Sequence, residues 1–194
     1  MNRPFTTALG HDIQETLFCF ALESEAGELF SNYRKVFTGI GKVGATYALS
    51  KAIADRRPQL IVNLGSAGSA RFSRGTIVSC RKFVQRDMDV RGLGFDRYQT
   101  PLSNIPVVLE YGLSLDGLTE GICGSGDSFE MAHQTDIYDV VDMEAYALAW
   151  VAKQENIPFL SLKYITDGAN DNAAEDWETQ VHQTSLAFSE ALGF

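Results

Sequence analysis

The sequence predicts a single α/β domain, residues 1–194, with a mixed, largely parallel central sheet and helices on both faces. Short, unbroken apolar runs alternate with segments of helical period, the pattern of strands buried on both sides. The runs end in glycines, small residues or acids, where a backbone turns or approaches a ligand. A chain of 194 residues suits one compact domain whose core needs neither disulfide nor metal.

Taken in order, Thr16 to Leu22 reads as a strand buried on both faces, and Glu25 to Tyr33 as a short helix. Lys35 to Thr38 is a short strand. After the glycines of 39–44, Ala45, Ala48, Leu49, Ala52 and Ile53 fall on one helical face, and Pro58 bars that helix from continuing. Leu60 to Leu64 is the next buried strand, breaking at Gly65-Ser66-Ala67-Gly68-Ser69. Thr76 to Val84 is rich in β-formers, whereas Gln85 to Asn104 has little period and reads as a long functional or partner-facing loop. Ile105 to Leu109, Leu118 to Cys123, Asp139 to Met143 and Phe159 to Ile165 complete the strands. Ala147, Leu148 and Val151 give an apolar stripe to the helix after Met143. A last helix runs from about Ala174 to Leu192, with Trp177, Val181, Phe188 and Leu192 inward.

Composition narrows the function classes. With 45% hydrophobic and 21% charged residues, the chain has the balance of a globular protein and is too apolar for disorder. Its 25 acidic against 16 basic residues give a net charge of -9, a field that repels nucleic acid and anionic membranes and points to a small-molecule partner. Met1 to Gln14 lacks a secretory apolar core, and the longest apolar run, Leu17 to Leu22, is far too short for a bilayer. Cys19, Cys80 and Cys123, odd in number and set in apolar runs, read as free thiols of a reducing, cytoplasmic compartment. His11, His133 and His182 lack ligand-spaced companions, so neither a metal nor any other cofactor is expected.

In open α/β sheets, ligands bind beyond the carboxyl ends of strands. Here those ends carry Glu23 and Glu25, Gly65 to Ser69, Ser125 to Phe129, Met143-Glu144, and Asp167, which together make one candidate pocket. Gly39-Ile40-Gly41-Lys42-Val43-Gly44 matches the dinucleotide fingerprint, but the next strand ends in Gly65 where a ribose-binding acid belongs; a glycine turn packing a helix on the sheet is the stronger reading. Val43 excludes a phosphate loop that needs Ser or Thr there, and Gly65-Ser66-Ala67-Gly68 does not supply a hydrolase elbow.

As a set, the strand ends resemble the nucleoside phosphorylase and nucleosidase superfamily, most closely its methylthioadenosine/S-adenosylhomocysteine nucleosidases. The resemblance covers most of the chain. It rests on Ala21-Leu22-Glu23-Ser24-Glu25, Gly39-Ile40-Gly41-Lys42-Val43, Asn63-Leu64-Gly65-Ser66-Ala67-Gly68, Asp87-Met88-Asp89-Val90, Ser125-Gly126-Asp127-Ser128-Phe129, Asp142-Met143-Glu144-Ala145 and Ile165-Thr166-Asp167. It implies a nucleoside phosphorylase-like fold and hydrolysis of the base–ribose bond of a purine nucleoside. Asp167 would protonate or hydrogen-bond N7 of the base, Glu144 would hold the ribose hydroxyls and Glu25 would position the attacking water. Met143 would lie beneath the sugar and Phe129 would stack on the base, with Leu22, Ser66, Ala67 and Gly68 also lining the substrate site. Val90, Leu93 and Pro101 would reach the 5′ pocket of a neighbouring subunit in a homodimer. Such chemistry needs two acids with separate tasks, one stabilising oxocarbenium charge at the sugar and one assisting departure of the base.

Three departures from the family pattern qualify the substrate. Only some thirteen residues separate Glu25 from Gly39, where the family inserts a hairpin, so the 5′ subsite is reshaped. Glu130 stands where apolar residues are common, and a carboxylate at the base edge could accept N–H groups of a 6-oxopurine. Lys163 occupies a position often held by Arg, a different group for fixing a water or carboxylate. Phosphorolysis, a 6-oxopurine (futalosine-type) nucleosidase, a non-catalytic nucleoside-binding module and a nicotinamide dehydrogenase stay open as alternatives.

Overall fold

The computed structural model describes residues 9–130, 135–169, 177 and 180–193. Strands β1 (Thr16–Phe20), β2 (Lys35–Phe37), β3 (Leu60–Gly68), β4 (Ile77–Gln85), β5 (Val108–Glu110), β6 (Thr119–Ser125), β7 (Val140–Asp142) and β8 (Phe159–Asp167) form one sheet. Helices are α1 (Glu23–Ala26), α2 (Lys42–Asp55), α3 (Ala145–Gln154) and α4 (Thr184–Leu192), with single 3-10 turns between some elements.

Strand alternation builds two cores from the same segments. Successive side chains point to opposite faces, so Leu17, Cys19 and Ile61 pack with Ala45 and Leu49 of α2 and with α3. Phe18, Phe20, Leu60, Val62 and Leu64 pack on the other face with Phe30 and with Phe188 and Leu192 of α4. Phe30 meets Phe18 and Phe20 edge-on at centroid distances of 5.5 and 5.1 Å, the geometry ring quadrupoles favour. Each such fully buried ring contributes on the order of 2 to 3 kcal/mol.

The sheet closes on itself at one end. β3 runs parallel to β1 and β8, and β4 parallel to β6, but β4 is antiparallel to β8. β7 lies parallel to β6 and meets β3 antiparallel at Gly68 opposite Val141. The pairings β3–β8–β4–β6–β7 therefore return to β3, and this brings the carboxyl ends of two oppositely running groups of strands to face each other. The site lies where they meet.

Several boundaries differ from expectation. Gly65 to Gly68 is strand rather than turn, because β8 pairs along it as far as Asp167, with a bulge at Ala67 and Gly68. The expected helix over 25–33 is instead four residues long, interrupted at Gly27 (φ +54), where a Cβ would lie 2.7 Å from Ser185 Oγ. The loop after Gln85 holds a 3-10 turn at Arg91–Leu93 and is pinned by the Tyr98 N–H donating to the Met88 carbonyl at 2.8 Å. Of the last helix, residues 174–176, 178 and 179 lie outside the described residues; Val181–Gln183 is a 3-10 turn leading into α4. His133 also lies outside them. All three cysteines are buried and free, and burial pushes the Cys19 thiol up to about 12. No helix among the described residues is long and apolar enough to cross a membrane.

Candidate active site

A cavity of about 270 Å³ opens at the meeting strand ends. Its wall includes Leu22 and Glu25 after β1, Ser66, Ala67 and Gly68 of β3, Phe129 and Glu130 after β6, Met143 and Glu144 after β7, and Asp167 ending β8. Residues as far apart in the sequence as Ala21 and Trp177 thus share one hollow. Lys163 does not reach its surface. Val90, Leu93 and Pro101 also lie outside it, on the loop after β4, with Leu93 74% exposed.

Glu25 is buried, and its carboxylate is surrounded by donors. Oε2 accepts the N–H groups of Ala21 (3.0 Å) and Leu22 (3.1 Å); Oε1 accepts the Ser66 N–H and hydroxyl, both at 2.8 Å. The bond from Leu22 also satisfies an N-terminal amide of α1. Ser66 Oγ in turn accepts the Trp177 indole N–H at 2.9 Å. A carboxylate offers about four lone-pair positions, and in this arrangement the protein occupies them all. The Ser66 hydroxyl, which rotates freely about its bond, is the donor most readily exchanged for a water.

Glu144 stands at the N-cap position of α3, and its carboxylate accepts the Gly41 N–H at 2.8 Å rather than an amide of that helix. Burial, then the neighbouring Asp142 carboxylate, push it up to about 8 against the lowering pull of Lys163 and the Gly41 amide. The glycine segment is thereby explained: Gly41 (φ +93) and Lys42 direct their N–H groups at carboxylates of the same chain, Glu144 and Asp127, the latter at 2.7 Å. Gly44 lets α2 sit close on the sheet, since a Cβ there would lie 2.9 Å from the Thr38 carbonyl oxygen. The amides that a dinucleotide phosphate would need are committed to these acids, which disfavours the dehydrogenase reading.

Behind the wall, Lys163 Nζ pairs with Asp142 Oδ2 at 2.8 Å, both side chains 1% exposed. Asp142 also accepts the Ala145 N–H at 2.8 Å and the Ser125 hydroxyl. Burial alone would raise the Asp142 carboxyl, but the Lys163 charge and these hydrogen bonds hold it below its ordinary value. Burial works against the Lys163 ammonium too, and Asp142 reverses it, so Lys163 stays charged. Gly65 makes room for this pair, since a Cβ there would lie 3.2 Å from Nζ. Lys163 therefore fixes the Asp142 carboxylate from behind the cavity, and its own side chain does not line the cavity.

Asp167 is 3% exposed. Its Oδ2 accepts the Thr166 hydroxyl and its Oδ1 the Ala169 N–H, both at 2.9 Å. Gly68 faces it so closely that a Cβ would come within 2.5 Å of Oδ1. Phe129 is 48% exposed at the rim.

Six wall residues were not singled out as site residues by sequence reasoning: Ala21, Ile40, Arg86, Val141, Asp142 and Trp177. Trp177 had only an apolar signal, because an indole's donor leaves no trace in hydrophobic periodicity. Arg86 had a readable one, a cation just past the end of β4 where the strand has turned apolar again at Phe83 and Val84. Among the described residues no cluster of three or more His, Cys, Asp or Glu could hold a metal.

Comparison with known proteins identifies the family and the fold. The sequence pattern of the phosphorylase superfamily matches residues 27–192. The chain is 30% identical over 178 residues to the 5′-methylthioadenosine/S-adenosylhomocysteine nucleosidase of Buchnera aphidicola subsp. Schizaphis graminum, covering 81% of this chain and 75% of that one. It is 31% identical over 171 residues to the enzyme of the same name from Listeria monocytogenes serotype 4a, covering 75% and 72%. Among solved structures, futalosine hydrolase of Helicobacter pylori superposes with a TM-score of 0.83 at 18% identity, covering 93% of this chain and 96% of that one. S-adenosylhomocysteine nucleosidase of Streptococcus pyogenes gives 0.79 at 20% identity over 91% and 93%. At such identities the structures speak for the fold, while the family match spans most of the sequence: the chain belongs to the phosphorylase superfamily.

Proposed function

We propose that this enzyme, a hydrolase of N-glycosyl bonds, splits the base–ribose bond of a purine nucleoside. The observation that carries the reading is that Asp167, Glu144 and Glu25 face one cavity. Asp167 supplies a proton or hydrogen bond to N7, so the electron pair of the breaking C1′–N9 bond leaves with a neutralised base. Glu144 holds the ribose hydroxyls and, when ionised, offsets positive charge developing on the sugar. Glu25 and the Ser66 hydroxyl orient the water whose oxygen bonds to C1′ and whose proton passes to the acid side chains. Phe129 stacks on the base and Met143 packs under the sugar.

Relatives named for methylthioadenosine and S-adenosylhomocysteine support hydrolysis and a purine base. The wall also favours water over phosphate as acceptor, since the one arginine it has among the described residues, Arg86, is bound up with residues of its own chain. Leu93, with Val90 and Pro101, would complete the 5′ end of the site in a second copy; sedimentation equilibrium should then report a dimer, and a monomer at assay concentration would remove these three residues from the site.

The test is to incubate the protein with methylthioadenosine, adenosine, inosine and futalosine, with and without phosphate, and to separate the products. Free base with free sugar in phosphate-free buffer is expected. Sugar 1-phosphate formed only with phosphate would make the protein a phosphorylase, and tight binding without release of base would make it a binding module.

A further inference from the structure

We infer that Glu130, clamped by Arg86, reads the outer edge of the base and selects a 6-oxopurine over a 6-aminopurine. The inference rests on the nucleosidase reading above and adds the base to it.

Among the described residues five carboxylates line the cavity: Glu25, Glu130, Asp142, Glu144 and Asp167. Asp142 is spent on Lys163, Ser125 and Ala145, and Glu25 on four donors of its own chain. With Glu144 at the sugar and Asp167 at N7, Glu130 is the acid left for the remaining rim of the base.

The fold invests a buried arginine in placing it. Arg86 is 6% exposed, and among the described residues its terminal nitrogens donate to the segment that carries Glu130. Nη1 donates to Ser128 Oγ at 3.0 Å and to Glu130 Oε2 at 2.9 Å; Nη2 donates to the Gly126 carbonyl at 3.2 Å and to the Ser128 carbonyl. Gly126 is glycine because a Cβ would lie 3.0 Å from Arg86 Cγ and 3.1 Å from its Cζ. The guanidinium thus serves as a splint: it fixes the loop after β6 through Glu130 Oε2 and leaves Oε1 with no hydrogen-bond partner among the described residues. Arg86 is a positioning residue, and Glu130 the one that touches the base.

A carboxylate accepts and cannot donate. Beyond N7, the purine rim carries the C6 substituent, N1 and C2. A 6-oxopurine presents an N1–H to this carboxylate, and guanine adds its 2-amino group. Adenine presents a lone pair at N1, so two acceptors would oppose each other in a closed site. A pocket built to hydrogen-bond a substrate N–H rejects the analogue lacking it far more strongly than an apolar pocket rejects a missing methylene.

Nucleoside pairs that differ only at C6 test this: inosine against adenosine, and 5′-methylthioinosine against 5′-methylthioadenosine. The kcat/KM is expected to favour the 6-oxo member of each pair by about 10²-fold or more. Glu130→Gln, a partly exposed and isosteric change whose amide can also donate to N1 of adenine, is expected to bring that ratio close to one, by loss on the 6-oxo member and gain on the 6-amino member of each pair. A wild-type preference for the 6-amino member, or a ratio unmoved by Glu130→Gln, overturns the inference and leaves the nucleosidase reading standing. If no nucleoside releases base, the nucleosidase reading fails by itself, and calorimetry with free hypoxanthine and adenine decides the base reader. Tighter hypoxanthine binding, lost in Glu130→Gln, supports it; equal or adenine-favoured binding overturns it.

Discussion

Gly68→Ala tests the placement of Asp167 more sharply than removal of the carboxylate does, because it keeps every functional group and changes only position. A Cβ at residue 68 would lie 2.5 Å from Asp167 Oδ1, whereas ordinary van der Waals contact begins at 3.4 Å. The difference, 3.4 minus 2.5, requires a displacement of about 0.9 Å. The backbone at 68 cannot easily supply it, since the same Cβ would also lie 3.2 Å from Ala169 Cβ and from Val141 Cγ2. The Asp167 carboxyl must therefore move, loosening its bonds from Thr166 and Ala169. Misplacing a reacting group by about 1 Å can cost about 10² in rate, or roughly 2.7 kcal/mol in the barrier. Overpacking adds about 1 to 3 kcal/mol of lost stability. Steady-state release of base, followed chromatographically, should show kcat down about a hundredfold with a smaller change in KM, while near-UV circular dichroism shows a folded protein. A folded Gly68→Ala protein with kcat within threefold of wild type would falsify the assignment of Asp167 to the base.

Three more perturbations follow from the same contacts. Asp167→Asn keeps the shape but cannot deliver a carboxylic proton, so turnover should drop by about 10² to 10⁴ with substrate affinity largely retained; a near wild-type rate removes Asp167 from its role. Glu144 is raised to about 8, so it is mostly neutral at pH 7, and the fraction able to accept ribose hydroxyl bonds as a carboxylate grows as pH rises. The kcat/KM, which reports the free enzyme, should climb about tenfold per pH unit below that value and then level; a flat profile from pH 5 to 8 contradicts the role given to Glu144. The linked effect on stability has the opposite sense: a carboxyl raised in the folded state favours folding fully below its unfolded pKa, and the benefit is lost as pH passes from there through about 8. Lys163→Met leaves the buried Asp142 charge without its partner and should cost about 3 to 5 kcal/mol in urea unfolding; a loss under 1 kcal/mol would show that Asp142 takes up a proton cheaply instead.

Most of the fold was legible in the sequence because its signals are local. Unbroken runs such as Leu60 to Leu64 and Phe159 to Ile165 can be satisfied only by strands covered on both faces, and the spacing of Ala45, Leu49 and Ile53 only by a helix lying on them. The site acids were legible for a related reason: each lies at or within five residues of the carboxyl end of a strand, Asp167 ending β8, Glu144 two residues after β7 and Glu25 five residues after β1. Glu25, Glu144 and Asp167 were marked in this way, and the cavity joins all three.

Where strands stop, and what lies behind the wall, depended on partners distant in sequence. Small residues at 65–68 read as a turn, yet they continue a strand because β8 hydrogen-bonds alongside them and because Lys163 and Asp167 fill the space their missing side chains leave. No local pattern marks Lys163 as the partner of Asp142, Arg86 as the splint of Glu130, or Trp177 as a donor to Ser66. A run of residues carries its own periodicity and conformational preferences, and these determine the elements and their order. Which polar groups meet is decided only when the ring of strands closes, because burial then forces every donor and charge to find a partner from whichever segment the fold has brought within reach.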